Sequence, residues 1–156
     1  MPVARRLWDS SVVIGYLAGY EDLKPDCPLI IDQAGRGEIE IVVSAVATIE
    51  AAYLAGLSDP ESEALIQEFF SRNYIIPVAI DAPVASIARR LIRKYRDPPK
   101  IKPPDAAHLA TAIQWHIPVI ETTDTDLLRL DGLEGNPRIS IRRPLYEGAR
   151  TMFDTT

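Results

Sequence analysis

Four short segments, far apart in the chain, each carry an acidic residue beside or within an apolar run. They are Leu7-Trp8-Asp9-Ser10-Ser11, Ser44-Ala45-Val46-Ala47-Thr48-Ile49-Glu50, Pro103-Pro104-Asp105-Ala106-Ala107-His108 and Thr122-Thr123-Asp124-Thr125-Asp126. A fold that brings them together builds a pocket of four or five carboxylates. Such a cluster repels itself unless a divalent cation neutralises it. All-oxygen ligands suit hard ions, so Mg²⁺, with Mn²⁺ as substitute, is the expected cofactor.

Each acid also has a structural reading. Asp9 can cap a helix, Asp105 can favour the positive end of a helix dipole, and Asp124 can cap a short helical turn. Glu50 is harder to explain so: among Ala47, Ile49, Ala51, Ala52 and Leu54 it lies in a helix apolar nearly all round, where a carboxylate either sits on a thin polar stripe or needs a partner to offset burial. Thr122 and Thr123 have the chemistry to orient a ligand carboxylate or a water. Asp126 is either a fifth ligand or a cap. The pair Asp124-x-Asp126 has Thr122-Thr123 before it and Leu127-Leu128 after it, where a phosphatase nucleophile of the haloacid-dehalogenase type needs an apolar strand running directly into the pair and a following Gly-Thr. His108 reads as a packed histidine, with general acid–base chemistry as the alternative.

The elements that must position these residues follow from hydrophobic period and turn chemistry. Strands are expected over 5–9, 39–43, 74–80, 117–120 and 139–141. Helices are expected over 10–20, 28–37, 44–54, 58–72, 82–95 and from Pro104 or Asp105 to Trp115. Ser58 and Glu61 form a potential capping box, and Pro77 restricts its strand to an edge or end. Strands alternating with helices imply βαβ units and an α/β fold with a mainly parallel sheet flanked by helices. In such sheets sites form beyond the carboxyl ends of the strands, where Asp9, Ser44 and Asp124 fall. Trp8 and Trp115 flank apolar runs and read as core.

The 156 residues, 47% of them hydrophobic, suit one domain over 1–156. No apolar run is long enough to cross a membrane, and Asp9 interrupts the stretch after Arg5-Arg6, so a cytoplasmic protein without membrane association is expected. The single Cys27 excludes an intramolecular disulfide and reads as a small buried side chain. The net charge of −5 opposes indiscriminate nucleic-acid binding, yet Arg89, Arg90, Arg93, Lys94, Arg96, Lys100 and Lys102 face a single acid, Asp97, between 89 and 102. Such a strip is either a solvated helix face or a grip on a phosphodiester backbone. Arg89, Arg93, Lys94, Arg96, Lys100 and Lys102 are the candidates for that grip, with Arg36 and Arg72 as lesser ones.

Together the four segments resemble those of the PIN domain, in particular the VapC-type toxins of prokaryotic toxin–antitoxin pairs. Pro104-Asp105-Ala106-Ala107-His108-Leu109-Ala110-Thr111-Ala112 is the most distinctive match, and the resemblance runs from Leu7 to about Leu130. It implies a three-layer α/β/α fold and an acidic quartet of Asp9, Glu50, Asp105 and Asp124. Asp126 would be an auxiliary acid, and Ser44 and Thr122 supporting hydroxyls. Asp9, Asp105 and Asp124, with Asp126, would hold the metal of an endoribonuclease, and Glu50 would be a ligand or orient the attacking water. The backbone gripped by the basic candidates between Arg89 and Lys102 would then be RNA. An antitoxin partner and a homodimer are implied as well. The residues from 136 to 156 form an extension outside the resemblance. Two rival readings stand beside this one: a binding subunit that acts with an antitoxin in transcriptional regulation, and a structure-specific DNA nuclease.

Overall fold

A computed structural model describes residues 2–98 and 100–149. The elements run β1 (Ala4–Trp8), α1 (Ser10–Ala18), a 3-10 turn (Glu21–Leu23), α2 (Cys27–Gly35), β2 (Ile39–Ser44), α3 (Ala45–Glu50) and α4 (Asp59–Ser71). They continue with β3 (Ile75–Val78), α5 (Ala82–Lys94), α6 (Pro103–Gln114), β4 (Val119–Glu121), α7 (Thr125–Leu128) and β5 (Ser140–Arg142). The five strands form one sheet in the order β3-β2-β1-β4-β5, and every pair is parallel.

Parallel strands covered on both faces need apolar side chains on both sides, which is why they read as near-continuous runs. Successive residues point to opposite faces. Leu7 and Val42 join α5, α6 and α7 in one core; Trp8, Ile41 and Val43 join α1 to α4 in the other. The result is the three-layer α/β/α arrangement. The chain builds outward from β1 to β2 and β3, then returns to the other side of β1 to add β4 and β5. The order therefore reverses between β1 and β4, and a crevice opens beyond their carboxyl ends.

Several local expectations hold. Asp9 caps α1 through Val12 N, and Ser58 and Glu61 complete the capping box of α4. Pro77 lies on β3, an edge strand. Cys27 is buried. Helix α6 is buried from Asp105 through Ala112, its alanines allowing close packing against α5 and the sheet. The C-terminal extension contributes β5 to the sheet, while residues 150–156 lie outside the described residues.

Two expectations need correction. The helix after β2 stops at Glu50 instead of reaching Leu54, and Ile49 on it is 73% exposed. Its apolar composition thus marks an exposed surface, not a buried helix, and Glu50 carries no burial penalty. Trp115 is not core: it sits at the exposed C-terminal end of α6, 47% accessible, whereas Trp8 is fully buried.

Candidate active site

The register Leu7↔Ile120 and Trp8↔Glu121 sets the ends of β1 and β4 side by side. The next residues, Asp9 and Thr122, therefore meet without any long-range adjustment. Asp9 is almost fully buried. Its Oδ1 accepts from Ser11 Oγ at 2.6 Å and Val12 N at 3.1 Å, and its Oδ2 accepts a short hydrogen bond from Thr122 Oγ1. Thr122 Oγ1 also accepts from Asp124 N at 2.9 Å, and Ser11 Oγ accepts from Thr123 N at 3.1 Å. Asp124 Oδ1 caps α7 through Asp126 N at 2.9 Å. One network thus fixes the first and fourth acidic segments to each other.

Asp105 enters from the first turn of α6. Its Oδ2 is buried and has no hydrogen-bond partner among the described residues. Burial pushes its pKa up to about 7; the charge of Asp124, a hydrogen bond between the Asp105 and Asp124 carboxyls and then the charge of Asp9 add to the rise, and Lys102 opposes it. Burial also raises Asp9, against the opposing hydrogen bonds from Ser11, Thr122 and Val12 N. Glu50, at the end of α3, accepts from Ser10 Oγ at 2.6 Å. His108 follows Asp105 by one turn; burial lowers its pKa to about 4, so the ring is neutral at physiological pH.

These side chains line a cleft of about 210 Å³: Asp9, Ser10, Ser11, Glu50, Asp105, His108 and Asp124, with Pro104 and Lys102 at its edge. All four acids of the expected quartet therefore share one cleft. Asp126 does not line it; it faces Arg129 at 3.4 Å on α7. Ser44 lies outside the cleft too, its hydroxyl capping α3 through Val46 N. Of the six basic candidates, Lys102 lines the cleft. Lys94 is bound at 2.6 Å to Glu134, which Tyr95 also contacts at 2.6 Å and Arg90 at 3.5 Å. Arg89, Arg93, Arg96 and Lys100 are exposed outside the cleft.

Among the described residues no three Asp, Glu, His or Cys side chains already converge as a metal cage. The donor chemistry nevertheless fits a hard divalent cation. The available donors are carboxylate oxygens, and Asp105 presents a buried oxygen with no other partner.

Ser10 and Ser11 were not singled out by the sequence pattern as contributors. Two consecutive hydroxyls immediately after a strand-end aspartate are the signal that marks them. Arg6 and Glu121, a buried pair joining β1 to β4, left no such signal; an Arg near the start of a strand reads as solvent-facing.

An all-parallel sheet with an acidic crevice at its topological switch point defines a class of α/β protein suited to metal-assisted chemistry. The profile of the PIN domain matches residues 7–133, and the chain belongs to that family. No curated protein matches it in sequence. Among solved structures it is similar to VapBC2 from Rickettsia felis bound to a promoter DNA fragment, at 12% identity and a TM-score of 0.63, covering 89% of this chain and 98% of that one. It is similar to a toxin–antitoxin complex from Klebsiella pneumoniae at 22% identity and a TM-score of 0.61, covering 90% and 98%. FitAcB from Neisseria gonorrhoeae matches at 20% identity and a TM-score of 0.51, covering 89% and 97%. At these identities the likeness is one of fold.

Proposed function

We propose that this protein is a metal-dependent endoribonuclease and the toxin of a cytoplasmic toxin–antitoxin pair. The observation that carries the proposal is the meeting of Asp9, Glu50, Asp105 and Asp124 in one cleft, with an unpartnered oxygen on Asp105. Asp9, Asp105 and Asp124 would hold Mg²⁺ or Mn²⁺, with Asp126 reaching them only if its side chain leaves Arg129. The bound cation supplies charge neutralisation and a lowered pKa for water. Thr122 and Ser11 fix the orientation of Asp9. Glu50 orients the attacking water from the rim. Lys102 sits where it can hold an RNA phosphate beside the carboxylates, and the exposed Arg89, Arg93, Arg96 and Lys100 extend that attraction along the surface. Single-stranded or loop RNA is the proposed substrate, because its backbone can bend into a cleft.

The toxin role is supported by fold likeness to toxin–antitoxin complexes. The exposed Ile49, Tyr53, Leu57 and Leu65 on and after α3 supply apolar surface for an antitoxin. A second copy of the chain, as a homodimer, is the other proposed partner. The test is cleavage of a total-RNA pool by wild type and Asp105→Asn, with Mg²⁺, with Mn²⁺ and with EDTA. Cuts that vanish with EDTA and in the variant are expected. Equal cutting by the variant overturns the site, and cutting of DNA oligonucleotides in preference to RNA overturns the substrate.

A further inference from the structure

His108 has no part in the chemistry above, yet it is buried beside it, 1% exposed. Its Nε2 lies 3.2 Å from Ser10 Oγ and 3.9 Å from Glu50 Oε1, while its Nδ1 is buried with no partner among the described residues. Counting protons fixes what these contacts are. The Ser10 hydroxyl has one proton. Its 2.6 Å contact with the Glu50 carboxylate, which is an acceptor, uses that proton. The contact between Ser10 and the ring must then take its proton from the ring, with Nε2–H donating to Ser10 Oγ. The orphaned Nδ1 is a lone pair, the less costly kind of orphan. The opposite tautomer would bury an N–H with no acceptor. It would also direct the serine proton at the ring and leave the contact between Ser10 and Glu50 with none.

Glu50 is the member of the quartet that needs such support. Asp9 and Asp124 are tied down by helix caps, and Asp105 by burial. Glu50 closes a six-residue helix, and its side chain is 42% exposed. An unrestrained glutamate there samples many rotamers. We infer that His108 is a positioning residue: as the neutral Nε2–H tautomer it holds Ser10, and Ser10 holds the Glu50 carboxylate over the cleft. Outer partners that orient functional carboxylates act in this way. The catalytic consequence rests on the hydrolytic reading of the cleft; the relay itself does not.

The experiment has two arms. In the first, ¹⁵N-histidine NMR of the full chain without metal reads the tautomer. A neutral ring with its proton on Nε2 is expected; a proton on Nδ1 overturns the relay. In the second, Ser10→Ala and His108→Leu are compared with wild type under saturating RNA. Each is expected to lower kcat by about 10–100-fold with little change in KM. The double variant loses no more than the worse single one, and His108→Gln, whose amide N–H reaches the Nε2 position, recovers most of the loss. Additive losses, or a glutamine variant no better than leucine, overturn the inference. Should His108→Leu fail to fold, Ser10→Ala still removes the link between ring and carboxylate, and an undiminished kcat there is equally decisive. Should the wild type cut no RNA, the hydrolytic reading fails while the tautomer still decides the relay.

Discussion

Two buried carboxylates, Glu121 at the end of β4 and Asp105 in the first turn of α6, differ in what surrounds them. Glu121, the last residue of β4, is fully buried. It accepts from Trp8 Nε1 at 2.9 Å, Arg6 at 3.2 Å and Leu145 N at 3.0 Å, with Arg142 at 3.8 Å. Asp105, just beyond the strand ends, has an oxygen with no partner and faces two further acids. The first site spends its charge on architecture: it ties β1, β4 and the segment after β5 together, and Arg6 extends the tie to Glu147 at 3.3 Å. The second holds its charge in reserve. An acid at a strand end is thus no guide to function by itself. The presence or absence of compensating donors separates the two.

The sharpest way to break the comparison is to neutralise one carboxylate in each site. Glu121→Gln leaves the buried Arg6 with only the half-exposed Glu147 as counter-charge, and unfolding in urea should show a loss of up to about 3–5 kcal/mol. Asp105→Asn removes a self-repelling charge. It should abolish RNA cleavage while leaving stability at pH 7 unchanged or higher. A stable Glu121→Gln, or a strongly destabilised Asp105→Asn, would reverse the assignment of architecture and function.

The pH dependence of stability sharpens the same contrast. The folded-state pKa of Asp105 is raised from 3.8 to about 7, so the folded protein holds the extra proton through that window. Its contribution is full below pH 3.8 and is lost as pH rises through 7. His108 is opposite: its folded pKa is lowered from 6.5 to about 4, so its contribution is full above 6.5 and lost as pH falls to 4. The two oppose each other between pH 4 and 6.5. Asp105→Asn removes the first and keeps the second. In EDTA, its stability relative to wild type should therefore rise by on the order of 2–4 kcal/mol from pH 4 to pH 7. Saturating Mn²⁺ should restore wild type at pH 7 and do little for the variant. Parallel stability curves would show that Asp105 is already compensated.

Thr122→Val probes the seam between the sites with a smaller effect. It deletes the donor to Asp9 Oδ2 and the acceptor for Asp124 N while nearly preserving volume. The expected cost is about 1–3 kcal/mol in urea unfolding and about 10–100-fold in cleavage rate. A wild-type rate would mean that Asp9 needs no such brace.

How much of this the sequence carried differs by residue. Asp9, Asp124 and most of the strands were legible because an acid after an apolar run at a strand end is a local pattern, and parallel topology puts such ends on one side. The order of the strands was not, so the switch point between β1 and β4 emerged only with the pairing of Leu7 and Ile120. Helix α3 misled because an apolar helix reads alike whether it packs inward or presents Ile49 to solvent. The buried Arg6–Glu121 pair joins residues 115 apart, and no local pattern signals a contact at that separation. The same limit hid Glu134 as the partner of Lys94, 40 residues away.

That last pair supplies the smallest and most selective prediction, because Lys94 and Lys102 repeat the contrast of the two carboxylates with the sign reversed. Lys94 is spent on Glu134, a residue only 4% exposed, whereas Lys102 lines the cleft, where its charge opposes the rise in the Asp105 pKa but forms no ion pair among the described residues. Lys102→Ala should weaken binding of a single-stranded RNA and lower the salt dependence of log K by about 0.7, the amount expected for one phosphate contact. Lys94→Ala should leave that slope unchanged. It should instead cost about 1 kcal/mol in urea unfolding, since Glu134 keeps Tyr95 and Arg90 as partners. Binding measured by fluorescence anisotropy over a salt series separates them: equal slopes for the two variants would mean that the basic strip grips RNA along its whole length and that the pairing with Glu134 yields to the phosphate.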